Sequence, residues 1–178
     1  MRFVAIILGL SVMITAGIRI TDGAVPRDPI ADLRLVDGEN SLDGLMEKFR
    51  QALETKDRPL LHRLRVTRDE YLTIIMPGSV EEGQPRAKYD KQAEQYFWSI
   101  LDTKSIYGES NLLFAYGGKP LTLKSVEYRR GIKKYRDYTA YKQLTVTLDD
   151  GSTGPERVKI GSIAEVNGQY KFISFVRQ

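Results

Sequence analysis

The chain has a single histidine, His62, inside "LLHRL". One imidazole cannot build a His-pair metal site or a two-histidine acid–base scheme, and a Ser-His-Asp arrangement would have to use it. On a short apolar helix it reads as a surface or core-edge residue, so it is given no catalytic role. The chain contains no cysteine, which removes thiol nucleophiles, thiolate metal sites and a disulfide framework. "YGGKP" is not a phosphate loop: Leu113 stands where the leading glycine belongs and Pro120 where Ser or Thr belongs. H-E-x-x-H, G-x-S-x-G and EF-hand patterns do not occur. These patterns call for no catalytic residue, metal or cofactor.

Ten tyrosines are the next resource. Tyr71, Tyr89, Tyr96, Phe97, Trp98 and Tyr107 cluster in one half of the chain. Aromatics with polar tips suit a pocket for a small amphipathic molecule, although they serve equally as core. Tyr96 and Tyr138 each share an inward face with aliphatic neighbours and are the expected ligand-binding pair. An enzyme, isomerase- or dehydratase-like, is the alternative, with a pocket carboxylate such as Asp90 or Glu94, or a tyrosine. Glu127 and Asp137 have outward parities, and Glu165 pairs with Tyr170 at a hairpin mouth.

Basic residues concentrate in "YRRGIKKYRDY", where Arg129, Arg130, Lys133, Lys134 and Arg136 surround Gly131. Such a cluster with flanking tyrosines can contact phosphates and stack on bases. In an exported protein a weak contact with an anionic lipid or envelope polymer is expected instead of nucleic acid. A solvated tip that guards a sheet edge explains the same residues.

Export follows from the N-terminus. Met1-Arg2 and the uncharged run "FVAIILGLSVMITAG" fit a secretory signal over residues 1–17, cut after Ala16 or Gly17. The run is shorter than the ~20 residues of a spanning helix, and an uncleaved anchor is the alternative. Net charge is +4, too mild to demand a polyanion.

Elements must position these residues. Residues 18–40 carry prolines, glycines and scattered charge, and read as a linker or docked arm. From Ser41, Leu42, Leu45, Met46, Phe49, Ala52 and Leu53 recur at helical spacing. Asp57 caps a short helix with Pro59 near its start, and "TRDEYL" is a capping box whose helix should stop before Pro77. Helical patterns return from Lys88 to Leu101 and again in "ESNLLFAYGGKP". Strands follow Gly118. The phase change near Lys124-Ser125 predicts a β-bulge, and in 138–148 the residues Tyr138, Ala140, Leu144, Val146 and Leu148 share one side. "VNGQ" predicts a two-residue turn, which sets Ile173 opposite Ser162 and Phe175 opposite Ile160.

The first helix "LMEKFRQALETKDRPLLHRL" and the closing "EVNGQYKFISFV" resemble the nuclear transport factor 2-like superfamily, also called cystatin-like cone folds. The resemblance, over residues 41–178, implies helices packed into the hollow of a strongly bent sheet. The expected class is α+β, with N-terminal helices on a bent four-stranded antiparallel sheet. Domains of this kind commonly dimerise through the outer sheet face, which by simple alternation exposes Ile163, Phe172 and Val176. A homodimer is therefore expected, or a cover formed by Ile30, Leu33 and Leu35 of the arm. The functional expectation is an exported, non-catalytic binding domain with a small-molecule ligand in the helix–sheet hollow. A structural envelope protein is a further alternative.

Overall fold

A computed structural model describes residues 32–176. The signal segment and most of the linker therefore lie outside the described residues. Among those described, no helix is long and apolar enough to cross a membrane.

Helix α1 (Leu42–Glu54) starts where Ser41 accepts a hydrogen bond from the Gly44 amide, and it buries Leu45, Met46, Phe49, Ala52 and Leu53. Helix α2 (Arg58–Arg63) is capped by Asp57 through the Leu60 amide. Thr67 and Glu70 complete the capping box of α3 (Arg68–Glu70). That helix does not stop before Pro77. It widens into a π-helical turn, Tyr71–Ile75, and continues through α4 (Met76–Gly78). Proline has no N–H to offer the carbonyl four residues back. That carbonyl belongs to Thr73, and Arg86 Nη2 donates to it instead at 2.6 Å.

The two helical pieces expected between 88 and 116 are one helix, α5 (Lys91–Tyr116), capped by Asp90. Its buried residues, Ser105, Gly108, Glu109, Leu112 and Tyr116, all lie in its second half. Gly108 permits the approach: a Cβ there would lie 2.8 Å from the Phe175 backbone.

The sheet is antiparallel and has five strands, not four: β1 (Thr122–Tyr128), β2 (Ile132–Lys134), β3 (Thr139–Asp149), β4 (Glu156–Val166) and β5 (Gln169–Phe175). The order is β1-β3-β4-β5, with the short β2 also paired to β3. The bulge at Lys124 is present, between the pairs Leu123–Leu148 and Ser125–Thr147. Asn167 and Gly168 both have positive φ, 49° and 79°, as the two-residue turn requires.

Three further irregularities overturn the expected faces. On β3 one residue is extra between Tyr141 and Leu144, and on β4 one is extra next to Gly161. On β5 Ile173 is left over, so Ser162 faces Ser174 and Gly161 faces Phe175. A single extra residue moves every later side chain to the other face. Ile163 and Phe172 therefore join Val158, Ile160 and Phe175 in one fully buried core beneath α1, α2 and α5. The exposed dimer face expected from Ile163, Phe172 and Val176 does not form, for the first two are buried and Val176 is half-buried at the end of β5.

The opposite face is apolar only in its upper part, where Tyr138, Ala140, Ala164 and Val166 meet Val66, Ile74, Ile75 and Leu35. Leu35 of the arm does fold back as a cover, with Leu33 against the same cluster. It covers this second face and not the Ile163 side; Ile30 lies outside the described residues. Leu64–Val66 lies beside the β5 edge, the Val66 amide donating to Phe172 and the Phe172 amide to Leu64. This shields what would otherwise be an open strand edge.

Candidate functional site

Tyr96 and Tyr138 do not share a pocket. Tyr96 is 60% exposed on the first half of α5. Tyr138 is buried, stacked on Tyr135 with ring centroids 5.1 Å apart, and its hydroxyl shares a 2.8 Å hydrogen bond with Ser79. Burial pushes the Tyr138 phenol up to about 12. An apolar cavity of about 510 Å³ does lie between α5 and β5, lined by Tyr71, Phe97, Ile100, Leu101, Phe175 and Val176, and neither Tyr96 nor Tyr138 lines it.

The basic cluster is partly neutralised. Lys133 pairs with Glu81 and Lys134 with Glu82, both at 2.7 Å, and Arg136 donates to the Gln84 carbonyl. The loop "SVEEGQPR" folds onto β2 and supplies these acids, leaving Arg129 and Arg130 as the cations of the cluster without an acidic partner among the described residues. Asp137 does not point outward as expected: it is buried, and Arg86 Nε donates to it at 2.5 Å. Glu127 is outward and pairs with Arg157, Glu165 stands opposite Tyr170, and Asp90 is an exposed helix cap. Glu94, on the first turn of α5, is only half-buried.

A cluster that alternation could not predict lies where the Leu64–Val66 segment, α5 and the arm converge. Arg65 is 3% exposed. Its Nη2 donates to Asp102 Oδ1 at 2.5 Å, and its Nη1 stands 3.8 Å from Glu109 Oε1, beyond hydrogen-bond reach. Nε and Nη1 have no hydrogen-bond partner among the described residues. The guanidinium carbon lies 5.7 Å from the centre of the Trp98 ring, within cation–π range. Glu109 is buried as well, and His62 Nδ1 stands 3.3 Å from its Oε1. His62 is exposed, within the surface or core-edge reading; its carboxylate partner lies 47 positions away, and no motif joins the two.

Beside it, Lys171 Nζ donates to Glu70 Oε2 at 3.1 Å and to the Val36 carbonyl at 2.9 Å, both side chains buried. Glu70 also accepts from the amides of Val36 and Thr67. One carboxylate thus ties the arm, the start of α3 and β5 together. Of these groups His62, Arg65, Trp98, Asp102 and Lys171 line an open cleft of about 350 Å³, whose rim adds Arg63, Arg68, Asp37 and Ile106. Arg63 and Arg68 are exposed and have no ionic partner among the described residues. The floor offers the Arg65 guanidinium with its partner Asp102, the rim positive charge and a second acid, Asp37, and Trp98 with Ile106 an apolar wall.

No family model, curated protein or solved structure matches the chain.

Proposed function

We propose that this chain is an exported, non-catalytic binding module of the cone-like kind, whose Arg65 cleft takes a small amphipathic anion. The observation that carries the reading is Arg65, a buried guanidinium at a cleft wall whose Nε and Nη1 have no hydrogen-bond partner among the described residues. Leaving a buried charged donor unmade is expensive, on the order of 1–3 kcal/mol, and an incoming carboxylate or phosphoryl oxygen removes that penalty. Trp98 supplies a flat apolar partner for the rest of the ligand.

Trp98 is the only tryptophan, so its emission reports this cleft alone. Benzoate and phenyl phosphate should shift it saturably, and benzyl alcohol should not. Arg63→Gln with Arg68→Gln, both on the exposed rim, should weaken the response about tenfold, and Arg65→Gln should weaken it further. Equal responses to the neutral and anionic probes, or none to any, would sink the reading.

Export rests on Arg2 and the apolar run after it. The secreted product should lack the first sixteen or seventeen residues by intact mass; a mass retaining Met1 leaves the anchored alternative.

The His62–Glu109 contact favours a second reading, an enzyme with a carboxylate-held imidazole as general base. A hydrolysis of p-nitrophenyl acetate that Glu109→Gln abolishes would support it; a rate equal to that of free imidazole would end it.

A further inference from the structure

The three extra residues on β3, β4 and β5 fall at one level of the sheet. Gln143 has φ 55° and Gly161 φ 144°, and Ile173 has no partner across the ladder. Aligned bulges bend neighbouring strands together, and bulges are common where a sheet re-aims side chains toward a site. Here they hollow the face turned away from α1, α2 and α5, below the arm, into a bowl of about 410 Å³.

The polar residues of the bowl are Arg129, Gln143, Thr145, Lys159, Ser162 and Ser174. Two cations and three hydroxyls line it, and no carboxylate does. The nearest acid along the register is Glu127, opposite Thr145, and Arg157 engages it at 2.5 Å. The Thr145 hydroxyl is buried and has no hydrogen-bond partner among the described residues. Two positions along β3, Thr147 shows the usual outcome, its hydroxyl accepting from Ser125 at 2.9 Å. Ser162 Oγ accepts from the Gln143 amide at 3.2 Å, which leaves its own O–H free to donate.

Donors on β3, β4 and β5, with positive charge from β4 and the turn after β1 and without an acid, are the chemistry of an oxyanion site. A planar carboxylate offers two oxygens in one plane; a phosphoryl group offers three that diverge, as donors on three bent strands require. We propose that the bowl binds a phosphoryl group, held by the Thr145 and Ser162 hydroxyls and the Arg129 guanidinium. This site is separate from the Arg65 cleft and does not depend on it. It also accounts for Arg129, one of the two members of the basic cluster that the Glu81–Glu82 loop does not engage.

The group could arrive on a soluble phosphomonoester or a lipid headgroup, and the test separates the two. Calorimetry of the mature protein with glycerol 3-phosphate and inorganic phosphate reads the first source. Cosedimentation with vesicles of phosphatidic acid in phosphatidylcholine, against phosphatidylcholine alone, reads the second. Thr145→Val keeps the shape and removes only the hydroxyl. It should weaken phosphoryl binding about tenfold while raising the melting temperature, because a buried unpaired hydroxyl is gone. Arg129→Gln should weaken binding by a similar factor and flatten its salt dependence. A purely structural Thr145 would move the melting temperature alone. Absence of binding to either source at millimolar phosphoryl concentration, or an unchanged affinity in Thr145→Val, would overturn the proposal.

Discussion

Gly161→Ala is expected to lose roughly 3–5 kcal/mol of stability, the sum of a strained φ and an overpacked contact. The residue sits at φ 144°, and an added Cβ would come within 1.9 Å of the Ser174 carbonyl oxygen. That oxygen belongs to the neighbouring strand β5, so nothing flexible can yield. The whole stability of a domain this size is about 5–15 kcal/mol, and the variant should be largely unfolded near 37 °C. Gly151→Ala is the matched control: φ is 73°, but the new methyl meets open space. It should cost only the left-handed backbone penalty of about 1–2 kcal/mol. Urea midpoints for both variants decide the matter. If Gly161→Ala costs no more than Gly151→Ala, the tight β4–β5 contact that builds the bowl is not there.

Lys171→Met carries the next largest expected effect. It removes the cation from a pair whose two side chains are 3% and 4% exposed and leaves the Glu70 carboxylate buried with amide donors alone. Breaking such a pair from one side costs about 3–5 kcal/mol. Adding Glu70→Gln should recover part of the loss, with a coupling of about 0.5–3 kcal/mol. Recovery stays incomplete because Glu70 also accepts from Val36 and Thr67, bonds the amide replaces less strongly. In Lys171→Met the amides of residues 33–37 should exchange faster, since Nζ holds the Val36 carbonyl. A Lys171→Met protein within about 0.5 kcal/mol of the parent would show that the pair does not tie the arm down.

Much of the local grammar was legible. The stripe of α1, the caps at Ser41 and Asp57, the capping box at Thr67–Glu70, the bulge at Lys124 and the Asn167-Gly168 turn all form where the residues say. Each depends on neighbours within about four positions, the range over which helix and turn chemistry acts. The α+β order followed from the same signals, because a switch from helical to alternating period needs no partner to be seen.

What only the tertiary structure decided begins where one strand must choose its register against another. "GSIAEVNGQYKFISF" alternates cleanly, and alternation alone put Ile163 and Phe172 outside. The strands instead slip by a residue at Gly161 and Ile173, which gathers four bulky side chains on the helix side. That slip is favoured by burial summed across three strands, a quantity no single strand contains. The same limit hid the charges. Lys133 and Lys134 find Glu81 and Glu82, Lys171 finds Glu70, and Arg65 finds Asp102, across 52, 101 and 37 positions. Opposite charges attract through space, and only the folded chain sets which of them meet. The sequence by itself determined most of the elements and the order of helices before strands; packing decided which faces closed, and so where the cleft and the bowl were left open.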